Sequence, residues 1–310
     1  MYYNKIKPRA VEHYTMLRKV VAGVTAEGSH NTPHAAGNYE PDVTEFWDTY
    51  QALRKSDPRW ARITTNSLLL YVITQGLIAS PRMNGHACFN LLSVTGKTMF
   101  FDNIDITMPM IMPDGGMMSF NVRNCERRSL EQIQEAVDDL RRRLENTNLN
   151  RVMIGPATED TLRKLLRGRL DMVLLRSLGN VIGPGRLKFK EFNEGMDRDI
   201  PAKDRLSRED IEPGTIAVTN VGSVYKGSYA PLTMANLLPP QISSVGIGAM
   251  VERPGVITHT DGSKEIALRK YIPFLILFDH RALDYGDIVP FMKRLDEIFA
   301  NPEEMKGWIA

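Results

Sequence analysis

The chain has 310 residues, of which 39 are basic and 37 acidic, and the formal net charge of +2 gives no overall field that favours nucleic acid or an anionic membrane, so any basic site must be local. Hydrophobic residues make up 43% and charged residues 25%, which is the usage of a folded globular protein. The best apolar run, Ser67 to Ala79, is much shorter than the ~20 residues of a membrane-spanning helix, so no membrane role is expected.

The first eighty residues predict three helices. Apolar and basic residues mix at helical spacing from Val11 to Ala22, a segment that includes Arg18. Asp42 to Lys55 places its apolar residues on one face, and Thr64 to Ala79 has the composition of a buried core helix.

The pattern changes between Leu91 and Val122 to short apolar runs broken by glycine and proline, which is typical of strands and hairpins. Ser129 with Gln132 three residues later is a capping-box signature and predicts the start of another helix. The apolar residues that follow repeat on one helical face: Ile133, Val137, Leu140 and Leu144.

Three strands and one helix are predicted near the C-terminus. Thr215 to Val221 and Ile242 to Ile247 are strand-like, and Tyr271 to Phe278 is almost continuously apolar, as expected of a strand buried on both faces. Asp287 is predicted to cap a last amphipathic helix with these residues inward: Ile288, Phe291, Met292, Leu295 and Phe299. Strands alternating with helices without a regular period predict a mixed α/β sandwich, and residues 1–310 are expected to form a single domain.

Two features favour a cytoplasmic protein. The two cysteines, Cys88 and Cys125, have no metal-ligand spacing and are too few for a disulfide framework, which fits a reducing compartment. The N-terminus lacks the apolar run of a secretory signal.

The segment from Phe278 to Gly286 places titratable side chains directly after the most apolar predicted strand. Loops at strand ends often carry function. On pattern alone, His280 in this segment is either a structural residue or a catalytic one.

Several motifs in this sequence resemble one known family. Asp279-His280-Arg281-Ala-Leu-Asp284 resembles the D-H-R-x-x-D-G signature of the catalytic domain of 2-oxo acid dehydrogenase complex acyltransferases, which are relatives of chloramphenicol acetyltransferase. Further segments resemble this family in the same order: Met16-Leu-Arg-Lys19, Thr32-Pro-His34, Pro113-Asp-Gly115, Leu206-Ser-Arg-Glu-Asp210, Gly214-Thr-Ile-Ala-Val-Thr-Asn220 and Pro239-Pro-Gln241. The resemblance implies an α/β fold, a mixed-sheet two-layer sandwich of the CoA-dependent acyltransferase (chloramphenicol acetyltransferase-like) type.

The resemblance also implies a reaction. A free thiol has a pKa near ~8.5 and a neutral imidazole one of about 6.5, so His280 would act as the general base that deprotonates a thiol. The thiolate would attack an acyl thioester, and the hydroxyl of Thr219 would donate a hydrogen bond to the oxyanion that forms. Without the family, Thr219 would be interpreted as an ordinary strand residue.

Four other positions receive roles from the resemblance. Asp284 would orient the site through hydrogen bonds or an ion pair, with Arg18 as the candidate partner. Asn220 and Arg281 would support the site structurally. One position differs from the signature, because Tyr285 stands where the family has glycine, and a turn that needs a positive φ would have to be reshaped here.

The implied substrate and partners follow from the same resemblance. Coenzyme A would be a substrate, and a lipoyl group would be carried on a separate protein, because no lipoyl-bearing segment or Ala/Pro-rich linker is visible in this sequence. The chain would form a homotrimer or a higher multiple of trimers with active sites between subunits, together with 2-oxo acid dehydrogenase components. Two alternatives remain open: acyl transfer to a small-molecule hydroxyl or amine, and a non-catalytic trimeric scaffold.

Residues from about 148 to 203 form an enlarged connection that the family pattern does not explain. A helix is predicted from Thr161 to Leu178, with an apolar face and nearby cations: Leu162, Leu165, Leu166, Leu170 and Leu174, with Arg163, Lys164, Arg167 and Arg169. The segment is either a packing elaboration at the trimer surface or a cover over the entrance for the acyl acceptor.

Overall fold

A computed structural model describes residues 7–91, 93–112, 116–149, 152, 200–225 and 235–309. The chain divides into two compact units, Met1–Ala26 with Asn146–Arg208 and Glu27–Glu145 with Glu209–Ala310. The single-domain organisation therefore stays a prediction. The predicted helix from Thr161 to Leu178 and the P-D-G motif lie outside the described residues. Within the described ranges, no helix is both long enough and apolar enough to cross a membrane.

The second unit is built on a mixed sheet. The described strands are β1 (His34–Tyr39), β2 (Gly85–Asn90), β3 (Thr95–Phe100), β4 (Ile106–Ile111), β5 (Met117–Val122), β6 (Ile216–Asn220), β7 (Ser243–Ile247), β8 (Val251–Thr258), β9 (Lys264–Tyr271) and β10 (Phe274–Asp279). Six of them form one sheet in the order β1-β10-β7-β6-β4-β5, while β2–β3 and β8–β9 form two separate hairpins. Strand β6 runs parallel to β4 and β7, and β10 runs antiparallel to β7 and β1. The predicted mixed α/β fold is confirmed.

The helices of the second unit pack together as a second layer. The described α-helices are α1 (Met16–Asn31), α2 (Thr44–Ser56), α3 (Pro58–Arg62), α4 (Thr65–Ala79), α5 (Leu130–Glu145) and α6 (Tyr285–Ala300). Helices α4 and α6 approach closely at Gly76, where a Cβ atom would lie 2.6 Å from side-chain carbons of Leu295 and Phe291. Helix α6 also contacts the sheet, because the Phe299 and Phe274 rings stack with centroids 6.2 Å apart.

The most apolar strand and the capping box are confirmed. All six residues of β10 are buried, as expected for a central strand with both faces covered. At the start of α5, the Ser129 amide donates to the Gln132 side-chain oxygen at 3.0 Å, and the Gln132 amide donates to the Ser129 hydroxyl at 3.3 Å. The predicted run from Tyr271 to Phe278 is divided, because Tyr271 ends β9 and Pro273 precedes β10.

Two helix starts differ from the predictions. Helix α1 begins at Met16 and continues to Asn31, later and longer than the predicted Val11 to Ala22. The last helix is capped by Asp284 and begins at Tyr285, so Asp287 is its third residue; the Asp287 carboxylate accepts the Asp284 amide at 2.9 Å. The error arose because an acidic residue stabilises either the cap or the first turn of a helix.

Candidate active site

The turn after β10 is fixed by an ion pair whose carboxylate is buried. The Asp279 carboxylate is 2% exposed and accepts two guanidinium bonds from Arg281, Nε to Oδ1 at 2.9 Å and Nη2 to Oδ2 at 2.7 Å. Arg281 also donates to the Asn31 carbonyl at 2.7 Å, and its guanidinium lies 5.1 Å from the centre of the Phe89 ring. Bidentate pairing of this kind restricts geometry, so the residue between Asp279 and Arg281 sits on a defined backbone.

That residue is His280, whose ring faces solvent. Its amide donates to the Pro33 carbonyl at 3.1 Å, and its side chain is 58% exposed. Ring atom Nδ1 lies 3.2 Å from the Leu283 carbonyl oxygen. Because a carbonyl oxygen only accepts hydrogen bonds, Nδ1 carries the proton in this contact, and the lone pair of a neutral ring is then on Nε2. The ring is therefore oriented as a base with Nε2 free to accept a proton.

Asp284 lies beside this ring. Its Oδ1 atom is 3.5 Å from His280 Nδ1, and its side chain is 86% exposed. An ion pair this exposed contributes under about 1 kcal/mol once the ring is protonated, because water screens it. Arg18 belongs to the other compact unit, so its predicted pairing with Asp284 stays a prediction.

Tyr285 does not disturb this turn. It is the first residue of α6 and has a helical backbone, so the positive φ that glycine would supply is not required here. Its ring is half-exposed and lies close to Gly37, where an added Cβ atom would be 3.4 Å from Tyr285 Cε2.

Thr219 and Asn220 end strand β6. Thr219 is half-buried and pairs in register with Gly246 of β7. The Asn220 side chain is engaged at both ends: its Nδ2 donates to Asn66 Oδ1 at 2.6 Å, and its Oδ1 accepts the Ser223 amide at 3.0 Å. Asn66, on α4, carries no sequence motif and was missed by the sequence analysis.

His280 and Thr219 lie at opposite ends of the sheet. Gly246, the register partner of Thr219, pairs in turn with Leu275 near the start of β10, whereas His280 follows the end of β10. His280 is five residues beyond Leu275, and β6 is two strand spacings from β10. The Cα atoms of Thr219 and His280 are therefore about 20 Å apart. A base at His280 and an oxyanion donor at Thr219 of one chain therefore cannot serve the same reaction, because the base acts within about 3 Å of the attacking thiol and the donor within about 3 Å of the carbonyl oxygen.

The histidine of the T-P-H motif, His34, lies beside the His280 turn, and its ring makes a structural hydrogen bond. His34 opens β1 and is the register partner of Asp279. Its Nε2 accepts the amide of fully buried Leu237 at 2.9 Å, which fixes the segment before β7. Among the described residues, no cluster of three or more histidine, cysteine, aspartate or glutamate side chains is arranged to hold a metal ion.

Known structures share this class of fold. The dihydrolipoamide acetyltransferase of Azotobacter vinelandii, studied for the role of one serine, one histidine and one asparagine in its catalytic mechanism, superposes with a TM-score of 0.61 and 15% identity over 98% of this chain and 96% of that one. The cubic core of a pyruvate dehydrogenase multienzyme complex gives a TM-score of 0.62 and 16% identity, again over 98% and 96%. These likenesses show the fold, a mixed-sheet α/β sandwich.

The family follows from a direct sequence match. The model of the 2-oxoacid dehydrogenases acyltransferase (catalytic domain) matches residues 7–155 and 199–306, and the chain belongs to this family. The dihydrolipoyllysine-residue acetyltransferase component of the pyruvate dehydrogenase complex of Corynebacterium glutamicum is 34% identical over 99 residues. That match spans 32% of this chain and 14% of the length of the Corynebacterium protein.

Proposed function

We propose that this chain is a cytoplasmic acyltransferase that moves an acyl group between coenzyme A and a lipoyl-type thiol on a separate protein. The observation that carries the proposal is the orientation of His280, whose Nδ1 faces the Leu283 carbonyl and whose Nε2 is left as the basic atom on an exposed ring. Family membership supplies the reaction class.

The first chemical step in this proposal is proton removal. His280 Nε2 accepts the proton of the attacking thiol, and the sulfur forms a bond to the acyl carbonyl carbon. The tetrahedral oxyanion then collapses, the bond to the leaving sulfur breaks, and the imidazolium returns its proton to that sulfur. Asp284 stabilises the imidazolium between these two transfers, by under about 1 kcal/mol when exposed as it is in the single chain.

The oxyanion is stabilised by the hydroxyl of Thr219. Because His280 and Thr219 of one chain are about 20 Å apart, we assign the two groups at each site to two copies of the chain. This arrangement fits the homotrimer, or multiple of trimers, that the family resemblance implies.

The β8–β9 hairpin supports assembly at the Thr219 end of the sheet. It leaves the sheet where β7 ends and β10 begins, which is the end that carries Thr219. Two of its cross-strand pairs, Val256–Ile266 and Pro254–Leu268, lie on the same face of the hairpin. The side chains of Val256, Ile266 and Leu268 are 64%, 76% and 70% exposed. An apolar face this exposed is suited to burial against a second copy that brings its own His280.

The Azotobacter enzyme offers a further parallel in spacing. The histidine and the asparagine studied there are separated by four positions, as are His280 and Asp284. The serine studied there is matched in residue chemistry by the hydroxyl of Thr219. These parallels support the assignment of His280 as base and Thr219 as hydroxyl donor.

A turnover assay tests the proposed reaction. The purified chain is incubated with acetyl-CoA and free dihydrolipoamide, and free CoA and S-acetyl-dihydrolipoamide are measured by mass spectrometry. We expect both products to appear together in equal amounts, because one acyl group leaves CoA for each thioester formed. Dihydrolipoamide without enzyme is the control for spontaneous exchange.

The same assay distinguishes the two alternatives. Turnover restricted to alcohols or amines would indicate a small-molecule acyltransferase. Absence of turnover with every acceptor would indicate a non-catalytic scaffold. Tyr285, which stands where the family has glycine, does not favour the scaffold, because it begins α6 without a positive φ.

A further inference from the structure

The end of β6 is tied to the first turn of α4 by one side-chain contact. Asn66 Oδ1 accepts a hydrogen bond from Asn220 Nδ2 at 2.6 Å, although the two residues are 154 positions apart. Asn220 is the last residue of β6 and directly follows Thr219. A change at Asn66 therefore acts on the residue next to the proposed oxyanion donor.

The side-chain oxygen and the backbone carbonyl of Asn220 also accept hydrogen bonds. Its side-chain oxygen accepts the Ser223 amide at 3.0 Å, and its carbonyl accepts the Ser223 hydroxyl at 2.7 Å. Without Asn66, the Asn220 side chain is held only by the Ser223 amide, and the strand end is held by its pairing with β7. The hydrogen bond to α4 is then lost, and the last residues of β6 are restrained less tightly, which allows a small shift of the Thr219 hydroxyl.

Asn66 is not required to cap its own helix. Thr64 is the cap residue of α4, and its hydroxyl accepts the Ser67 amide at 3.3 Å. Asn66 is the second residue of the helix, a position where side-chain capping contributes little. The contact with Asn220 is thus separable by mutation from the stability of α4.

We infer that Asn66 is a positioning residue for the Thr219 hydroxyl, acting through the Asn220 side chain. The inference rests on the proposed function, because it requires Thr219 to be the oxyanion donor. Misplacement of a reacting group by about 1 Å can lower a rate on the order of a hundredfold, so loss of this tie is expected to affect kcat. KM should be unaffected, because an oxyanion donor acts in the transition state and not in the ground-state complex.

A double-mutant cycle tests the inference. Asn66→Ala is expected to lower kcat roughly tenfold to a hundredfold with KM for acetyl-CoA unchanged. Asn66→Asp keeps the acceptor oxygen and should retain most of kcat. In the Thr219→Ala background, Asn66→Ala should cause no further loss, since the group that it positions is already absent.

The outcomes separate this inference from the proposed function. Wild-type kcat in Asn66→Ala, equal loss in Asn66→Asp, or a full second loss in the double variant overturns the role of Asn66 while Thr219 keeps its own. Wild-type kcat in Thr219→Ala overturns both roles. Thermal unfolding and assembly mass are measured for each variant, and Asn66→Ser, whose side chain is too short to make the contact, replaces Asn66→Ala if the latter fails to fold.

Discussion

Replacing His280 by alanine is expected to lower kcat by at least about a hundredfold, the loss typical of removing a general base, with the assembly intact. The attacking thiol would then lose its proton only to water, which is a much weaker base. The backbone of the turn should persist, because the Asp279–Arg281 ion pair and the bond from the His280 amide to Pro33 do not involve the imidazole. The measurement is the initial rate with acetyl-CoA and dihydrolipoamide.

A matched histidine variant serves as the control. His259 lies in the β8–β9 turn, and its ring contacts Glu265 at 3.2 Å. His259→Ala removes the same side chain from the turn of the hairpin, outside the apolar pairs that assembly is proposed to bury, and should keep wild-type kcat with an unchanged assembly mass. Wild-type kcat in His280→Ala would exclude His280 as the base.

Replacing Thr219 by alanine is expected to lower kcat on the order of 10²–10³-fold, as single oxyanion-donor deletions do. Thr219→Ser should keep most of the activity, because serine retains the hydroxyl. Thr219→Val should be as slow as alanine, although it preserves the β-branched shape that suits the strand. The measurement is kcat at saturating concentrations of both substrates.

The comparison among these three variants decides what Thr219 does. If kcat is low in the alanine and valine variants and high in the serine variant, the loss of activity is due to the missing hydroxyl. If serine and alanine variants have equal activity, Thr219 is an ordinary strand residue. Thermal unfolding checks that each change leaves the β6 pairing with β7 in place.

Local patterns predicted individual elements well. The apolar composition of β10 and the Ser129–Gln132 capping box depend on neighbouring residues only, and both are confirmed. Strand β1 escaped prediction because His-Ala-Ala-Gly-Asn-Tyr is poor in the β-branched residues that favour strands. The β8–β9 hairpin also escaped prediction, because charged residues interrupt its apolar ones.

Long-range arrangement was beyond local patterns. The strand order that places Thr219 and His280 at opposite ends of the sheet depends on pairing between distant segments, and no local periodicity encodes it. The contact between Asn66 and Asn220 joins residues 154 positions apart and has no sequence signature. The roles assigned to Arg281 and Asp284 came from motif resemblance, and the structure adds their contacts with Asp279 and His280.

Each site is expected to take its base from one chain and its oxyanion donor from another. Mixing the His280→Ala and Thr219→Ala chains tests it most directly, because a mixed assembly contains some interfaces where both groups are intact. In closed trimers assembled at random from equal amounts of the two variants, about a quarter of the sites combine an intact His280 with an intact Thr219. The mixture should therefore recover about a quarter of wild-type activity, although each variant alone is nearly inactive. Mass spectrometry must first show that mixed assemblies have formed. Confirmed mixed assemblies that stay as inactive as the two parent variants would exclude a site shared between two chains.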